Sequence, residues 1–320
     1  MHTKSRPEFE IEVAGRNIVM GTRTLIMGVL NVTPDSFSDG GRYFDPIRAV
    51  KRGVELTHQG ADWIDVGAES TRPGSRPVSV EEELRRVLPV IRGLRRKLPD
   101  VPISIDTTKA EVAQQALEAG ANILNDISGL RFEPRLAKVA QQSRSPLILM
   151  HTRGTPETMQ RQPFARGIWR ALMSGLETSI RRALAAGIAR SQLILDPGLG
   201  FGKSRRQNYE ILAGLAKFQR FHLPILIGAS RKSFVQAIVA GEGLDPLRAK
   251  RSGARYWPMV RKQGIESNAP RPKNSALLPT GDASMVTAAI LGGAHIVRVH
   301  DPAAILPAVR VADALLAAGR

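Results

Sequence analysis

PISIDTTKAEVAQQALEAGANILND, residues 102–126, decides the fold. It opens with a short apolar run at 103–105 that ends on Asp106. Thr108-Lys109-Ala110-Glu111 then reads as a capping box, where a hydroxyl and a carboxyl three residues apart satisfy the first free N–H groups of a helix. The helical pattern stops at Gly120, a residue that readily takes the left-handed conformation closing many helices. A second apolar run at 123–124 follows and ends on Asn125-Asp126. Runs this short are too brief for core helices and suit parallel strands buried on both faces.

The same alternation extends in both directions. Eight apolar runs occur, at 25–30, 63–66, 103–105, 123–124, 147–150, 193–195, 225–227 and 296–299. Between them, Ser79-Val80-Glu81-Glu82 reads as another capping box, opening a helix that includes Leu84, Val87, Leu88 and Ile91. Segments 172–186 and 209–218 are further amphipathic helices. Eight strand-then-helix units in 320 residues predict an α/β fold, a (β/α)8 TIM barrel. A doubly wound open sheet is the alternative, since periodicity alone does not close a sheet. Ahead of the first barrel strand, two apolar runs flank Ala14-Gly15-Arg16-Asn17 and predict a β-hairpin over residues 9–20, capping the bottom of the barrel. Segment 241–281 breaks the rhythm with Pro258, Pro270, Pro272, Pro279 and many Lys and Arg residues. It reads as a long irregular basic insertion between strands 7 and 8, inside a single domain spanning 1–320. A helix around 283–291 returns the chain to strand 8, so the insertion is expected to emerge near the catalytic face.

Composition narrows the function classes. The chain is 42% hydrophobic and has no cysteine, which excludes disulfides and thiolate metal sites. Its N-terminus, MHTKSRPEFEIEV, lacks the apolar run of a signal peptide, and no stretch approaches the length of a membrane helix. A cytoplasmic protein with no membrane partner is the expectation. The net charge of +17 is spread in runs such as Arg85-Arg86, Arg95-Arg96-Lys97, Arg181-Arg182 and Arg205-Arg206, mostly on solvated helix faces. Without a basic groove-reading element or interleaved aromatics, no specific nucleic-acid binding is expected. A positive field that draws anionic substrates is the more useful reading.

In a (β/α)8 barrel the active site forms at the C-terminal ends of the strands. Here those ends are polar: Asn31, Glu69-Ser70-Thr71-Arg72-Pro73-Gly74, Asp106, Asn125-Asp126, His151, Asp196-Pro197-Gly198, Ser230-Arg231-Lys232-Ser233, and Arg298 with His300. A period of two puts Arg298 and His300 on one side of their strand, with Val297 and Val299 facing the helices. Two donor groups at a barrel mouth suit an anion. Asp106, Asn125 and Asp196 form a ring of acceptors that suits a heterocycle rich in N–H donors, such as a pterin or a guanine-like ring. Each feature has a plainer reading. A lone Asp after a strand is often the N-cap of the next helix, and His151 reads as structural. Gly198-Leu199-Gly200-Phe201-Gly202-Lys203-Ser204 is not a Walker loop, which needs four residues between its first Gly and the Gly-Lys pair.

Seven stretches in order resemble the dihydropteroate synthase family: residues 28–41 (GVLNVTPDSFSDGG), 69–74 (ESTRPG), 103–107 (ISIDT), 125–127 (NDI), 195–198 (LDPG), 230–233 (SRKS) and 298–301 (RVHD). The resemblance implies an enzyme of folate biosynthesis and a sulfonamide target. Such an enzyme condenses 6-hydroxymethyl-7,8-dihydropterin diphosphate with p-aminobenzoate, through an SN1-like loss of the diphosphate assisted by Mg2+. It implies Asp106, Asn125 and Asp196 as ligands of the pterin ring, with Lys232 packing on and hydrogen-bonding that ring. It implies Asn31, Arg298 and His300 at the diphosphate, with Asn31 also reaching the Mg2+. Thr71, Arg72 and Pro73, together with Phe201 and Ser233, are implied on the p-aminobenzoate side, Thr71 also facing phosphate. Asp106, Lys232, Arg298 and His300 are the implied catalytic set. The loops at 33–41 and 70–78 are implied to close over the substrates, and the molecule is implied to be a homodimer.

Two features depart from the family pattern. The insertion is about thirty residues longer than expected. Leu199 also stands where an aromatic residue is common. A pterin-dependent methyltransferase module and a non-catalytic pterin-binding paralogue are the alternatives. The first would need neither the diphosphate pair nor the two loops.

Overall fold

The structure, a computed structural model, describes residues 6–33, 45–69, 75, 77–159, 166–228, 230–240, 243–244 and 274–319, the side chains of 274–278 excepted. The chain opens with the expected hairpin, β1 (Phe9–Val13) paired antiparallel with β2 (Arg16–Met20). Its turn residues Ala14 and Gly15 have φ of 53° and 75°. Two left-handed central residues match the right-handed twist of the strands they join.

Eight parallel strands follow: β3 (Leu25–Asn31), β4 (Trp63–Gly67), β5 (Ile103–Asp106), β6 (Ile123–Asp126), β7 (Leu147–Met150), β8 (Leu193–Asp196), β9 (Leu226–Gly228) and β10 (Ile296–Val299). They are ordered β8-β7-β6-β5-β4-β3-β10-β9. A parallel bridge between Leu195 and Ile225 joins the two ends of that order, and Leu195 N–H donates to the Pro224 carbonyl at 2.9 Å. This closes the barrel, and the open sheet is excluded. His295 holds the β9 side of that seam to the N-terminal segment. Its Nδ1 accepts from Ile225 N–H at 3.1 Å, so Nε2 carries the proton and donates to the Pro7 carbonyl at 3.0 Å.

The strands sort their side chains by a period of two. Outward residues such as Ile64, Val66, Ile103, Ile105, Leu149, Leu195 and Val297 pack against the helices. Inward residues Leu25, Met27, Trp63, Ile123, Ile148, Ile194, Leu226 and Ile296 form a separate apolar layer with Ile11, Val13 and Met20 of the hairpin. The hairpin thus plugs the bottom of the barrel, as the sequence leads one to expect. Two residues further along the same inward faces stand Asp65, Asn125, Met150, Asp196, Gly228 and Arg298. Four of these six are polar or charged, so the barrel interior turns largely polar toward its C-terminal end.

The helices are α1 (Pro46–His58), α2 (Val80–Lys97), α3 (Ala110–Glu118), α4 (Arg135–Ser143), α5 (Ile168–Ala185), α6 (Arg205–Ala213), α7 (Ser233–Val239), α8 (Asn274–Leu291) and α9 (Pro302–Ala318). Several local expectations need correcting. Ser79 caps α2 by accepting from Glu82 N–H at 3.2 Å, but the Glu82 carboxylate is held by Arg85 and Arg86 rather than turning back to the cap. The box expected at Thr108 does not form. The N-cap of α3 is Lys109, without a side-chain cap bond. The Lys109 ammonium is drawn to Glu69 and Glu83 at 2.5 Å each, and the Ala110 N–H is satisfied by Glu133 from the following loop. The single helix expected over 209–218 is two pieces, α6 and a 3-10 segment Leu215–Phe221. The break falls at Gly214, where a Cβ would lie 2.4 Å from the Trp169 ring. Residues 245–273 of the expected insertion lie outside the described residues. Its last eight positions, 274–281, are helical, because α8 begins at Asn274 and runs through Pro279. Proline there forfeits one early i to i−4 hydrogen bond, which a helix of 18 residues tolerates.

Candidate active site

The inward polar layer opens into a cleft lined by Asp106, Asn125, Asp196, Phe201, Lys232 and Arg298, with apolar walls from Ile127, Met150 and Leu199. Six of the sequence-predicted site residues therefore converge on one cavity.

Arg298 organises the floor. Its Nε donates to Asp65 Oδ2 at 2.6 Å and its Nη2 to Asp106 Oδ2 at 2.9 Å. Asn125 Nδ2 donates to the same Asp65 oxygen at 3.2 Å. Burial works against the Arg298 charge, but Asp65 and Asp106 outweigh it and raise its pKa above the ordinary arginine value. Burial pushes the Asp106 carboxyl up to about 7, against the pull of Arg298. Burial also raises Asp196, although Gly198 N–H donates to its Oδ1 at 2.7 Å. The Lys232 ammonium lies 4.6 Å from the centre of the Phe201 ring. Burial, helped by nearby Arg298, lowers it to about 8.

The loop after β8 is built by glycine and lysine. Gly198 has φ of 66°, and a Cβ there would lie 2.1 Å from the His151 carbonyl oxygen. The Lys203 Nζ donates to the carbonyls of Gly198, His151 and Phe201 at 2.7, 3.1 and 3.1 Å. This lysine staples the loop to the end of β7, a structural part rather than that of a phosphate-loop lysine. His151 is half-buried, and the desolvation of its ring drives its pKa well below the ordinary value.

Asn31, His300 and Ser233 stand apart from the lining. Asn31 is the half-buried last residue of β3, paired in register with Gly67. His300 follows β10, with its Nδ1 3.3 Å from Ser230 Oγ. Ser233 is exposed at the start of α7. Thr71, Arg72 and Pro73 lie outside the described residues, as do most positions of the two loops at 33–41 and 70–78. Sequence reasoning missed Asp65, although a carboxylate inside the apolar run Trp63-Ile64-Asp65-Val66 was a signal. Counting by two from Trp63 places it inside the barrel.

Residues 27–300 match the family described as pterin binding enzyme. The dihydropteroate synthase of Synechocystis sp. is 43% identical over 295 residues, covering 92% of this chain and 91% of the relative. The chain belongs to the dihydropteroate synthase family. Its fold superimposes on the dihydropteroate synthase of Yersinia pestis in a sulfonamide drug complex, with a TM-score of 0.79, 35% identity and coverage of 97% and 100% of the two chains. The dihydropteroate synthase of Xanthomonas albilineans with 4-aminobenzoic acid gives the same score and identity over 97% and 99%. As a dihydropteroate synthase the chain is a transferase of folate biosynthesis. It joins 6-hydroxymethyl-7,8-dihydropterin diphosphate to p-aminobenzoate, giving 7,8-dihydropteroate and pyrophosphate. The methyltransferase module is set aside.

Asn31 offers one neutral oxygen donor at the barrel rim. Among the described residues no group of three or more His, Asp or Glu side chains gathers as a metal cage. Mg2+ keeps several waters and takes phosphate oxygens readily, so one protein oxygen is a donor set that fits it.

Proposed function

We propose that the cleft holds the pterin ring against Asp106, Asn125, Asp196 and Lys232. The diphosphate then points toward Asn31, Arg298 and His300. p-Aminobenzoate approaches from Thr71, Arg72, Pro73, Phe201 and Ser233. The observation that carries this reading is the convergence of two acceptor carboxyls, an amide and two cations in one cleft. With Nδ2 of Asn125 donating to Asp65, its carbonyl oxygen is the end that can accept from a ring N–H. The bound 4-aminobenzoic acid of the Xanthomonas albilineans enzyme supports the second substrate.

The aromatic amine is neutral and nucleophilic near pH 7, so the site needs no strong general base. The barrier lies in losing the diphosphate. The C–O bond breaks with its electron pair going to the diphosphate oxygen. Positive charge then spreads from the methylene carbon into the ring, in an SN1-like step. Asp106, ionised beside the ring, stabilises that cation, while His300 and the Arg298 guanidinium face the leaving charge. Asp65 and Asp106 take one donor each from Nε and Nη2 of a group that has five. The amine lone pair forms the new C–N bond, and its proton leaves to solvent. Asn31 would hold Mg2+, which when bound neutralises charge on the diphosphate.

The same reading takes residues 1–320 as one domain in a cytoplasmic homodimer that binds neither membrane nor specific nucleic acid. Among the described residues no helix is long and apolar enough to cross a membrane. Val311 and Leu315 on α9, 59% and 51% exposed, suit a subunit contact. Incubating the protein with both substrates and Mg2+ and measuring pyrophosphate tests the reading. A protein that binds the pterin diphosphate yet releases no pyrophosphate would be the non-catalytic paralogue.

A further inference from the structure

We propose that Asp282 is a positioning residue for the transfer: its carboxylate fixes the turn that presents Lys232 to the cleft and, through Ser230 Oγ, sets the protonated nitrogen of His300. The inference rests on the parts given above to Lys232 and His300.

The turn between β9 and α7 contains a costly conformation. Arg231 has φ of 56°, the left-handed region that a side chain with a Cβ disfavours. Asp282 is what holds it there. Arg231 N–H donates to both carboxylate oxygens, at 2.9 Å to Oδ2 and 3.1 Å to Oδ1. Ser230 Oγ–H donates to Oδ2 at 3.0 Å. Asp282 is only 6% exposed, so these bonds form largely out of water. The preceding Gly281 lets α8 lie close on α7, since a Cβ there would sit 2.7 Å from Val239 Cγ2. That close approach seats the carboxylate on the turn. Lys232 comes next in the chain and is the N-cap of α7, so fixing residues 230 and 231 fixes the root of the side chain that reaches the cleft.

The second consequence follows from counting protons. A serine hydroxyl has one hydrogen. Ser230 gives it to Asp282, so toward His300 its oxygen can only accept. His300 presents its backbone N–H at 3.4 Å and Nδ1 at 3.3 Å to that oxygen. Nδ1 must therefore carry a proton. A ring already protonated on Nδ1 can also hold a proton on Nε2 only as the imidazolium, the form that an anionic leaving group favours. The carboxylate, by polarising the serine, strengthens the acceptor that this form requires.

The test compares wild type with Asp282→Ala, Asp282→Asn and Ser230→Ala in the full chain, each checked for folding by circular dichroism. The 15N shifts of the His300 imidazole, read at alkaline pH where the ring is neutral, report its tautomer. The expected result is an Nδ1-protonated ring in wild type and loss of that preference in Asp282→Ala and Ser230→Ala. Turnover of Asp282→Ala should fall at least roughly tenfold, because small displacements of reacting groups are costly, with KM for p-aminobenzoate changing less. Asp282→Asn, which keeps an acceptor oxygen without the charge, should recover part of the turnover. Wild-type His300 shifts and wild-type turnover in Asp282→Ala would overturn the proposal. If that variant does not fold, an unchanged tautomer in Ser230→Ala overturns it instead. Failure of the functional reading is distinct: wild type itself would release no pyrophosphate, while the His300 spectra would still decide the part played by Asp282.

Discussion

Arg298 Nε lies 2.6 Å from Oδ2 of Asp65, a carboxylate with no solvent exposure. The pair sits one layer above the apolar plug and directly beneath the candidate pterin site. It is oriented further by Asn125, which donates to the same oxygen. A buried pair is a poor source of net stability, but removing one member costs the other its charged hydrogen-bond partner. Asp65→Ala leaves Arg298 with Asp106 as its remaining counter-charge, so unfolding free energy should fall by about 1.5–3 kcal/mol. Turnover should fall as well, because Arg298 and Asn125 lose their common anchor. Chemical denaturation with paired kinetics checks this, and an unchanged denaturation midpoint would contradict it.

Asp106 gives a pH signature. Burial pushes its carboxyl up to about 7, so the ionised form that stabilises the cation is lost as pH falls below that value. The pH profile of kcat/KM for the pterin diphosphate should carry an acid limb near there. Asp106→Asn should remove that limb and reduce kcat by at least about a hundredfold, with the circular dichroism spectrum unchanged. The linkage sign is opposite for stability. A raised carboxyl contributes stability that is present below its unfolded value and lost as pH rises through about 7. The unliganded Asn variant should therefore lose less stability than wild type on going from acid to neutral pH.

How much of this was legible in sequence follows from where each signal resides. The strands were legible because burial on both faces imposes unbroken apolar runs, and their polar last residues placed Asp106, Asn125 and Asp196 at one end. Closure was not, since a single bridge from Leu195 to Ile225 and the clasp of His295 are tertiary facts without a local pattern. The capping box at Thr108 misled because Lys109 answers to Glu69 and Glu83, which are distant in sequence. Arg298 was read as an anion ligand from its chemistry alone. Its two carboxylate partners come from β4 and β5, and only the register of the barrel brings them to it. Asp282 escaped notice for a similar reason: a lone Asp after Gly281 has no meaning until α8 is laid against the turn at Arg231.

Lys203 separates a structural lysine from a catalytic one. Its ammonium bonds three carbonyl oxygens and is only 3% exposed. Lys203→Met keeps the apolar stem but leaves those acceptors without their common donor. The expected cost is about 2–4 kcal/mol, as for other buried polar groups stripped of a partner. KM for the pterin diphosphate should move little in the folded fraction. Thermal melts with active-site titration distinguish this outcome from a tenfold rise in KM at unchanged stability, which would instead make the residue a phosphate ligand.

His295 should make the barrel seam sensitive to acid. Burial holds its pKa down at about 4, and its Nδ1 is occupied by Ile225 N–H, so the folded protein resists a proton that the unfolded chain accepts near pH 6.5. A depressed pKa contributes stability that is present above the unfolded value and lost as pH falls through the folded one. The window is therefore about pH 6.5 to 4, with a magnitude of roughly 3 kcal/mol across it. The raised carboxyls of Asp106, Asp126 and Asp196 act in the opposite direction over part of that window, so the total stability of wild type is a poor readout. The difference between wild type and His295→Gln is the better one, because glutamine does not titrate and the carboxyl contributions cancel. Urea denaturation at about pH 7 and about pH 4.5 should show wild type losing more stability than the variant on acidification. Equal losses would mean that His295 binds its proton as readily in the folded protein as in the unfolded chain, so that it does not make the seam sensitive to acid.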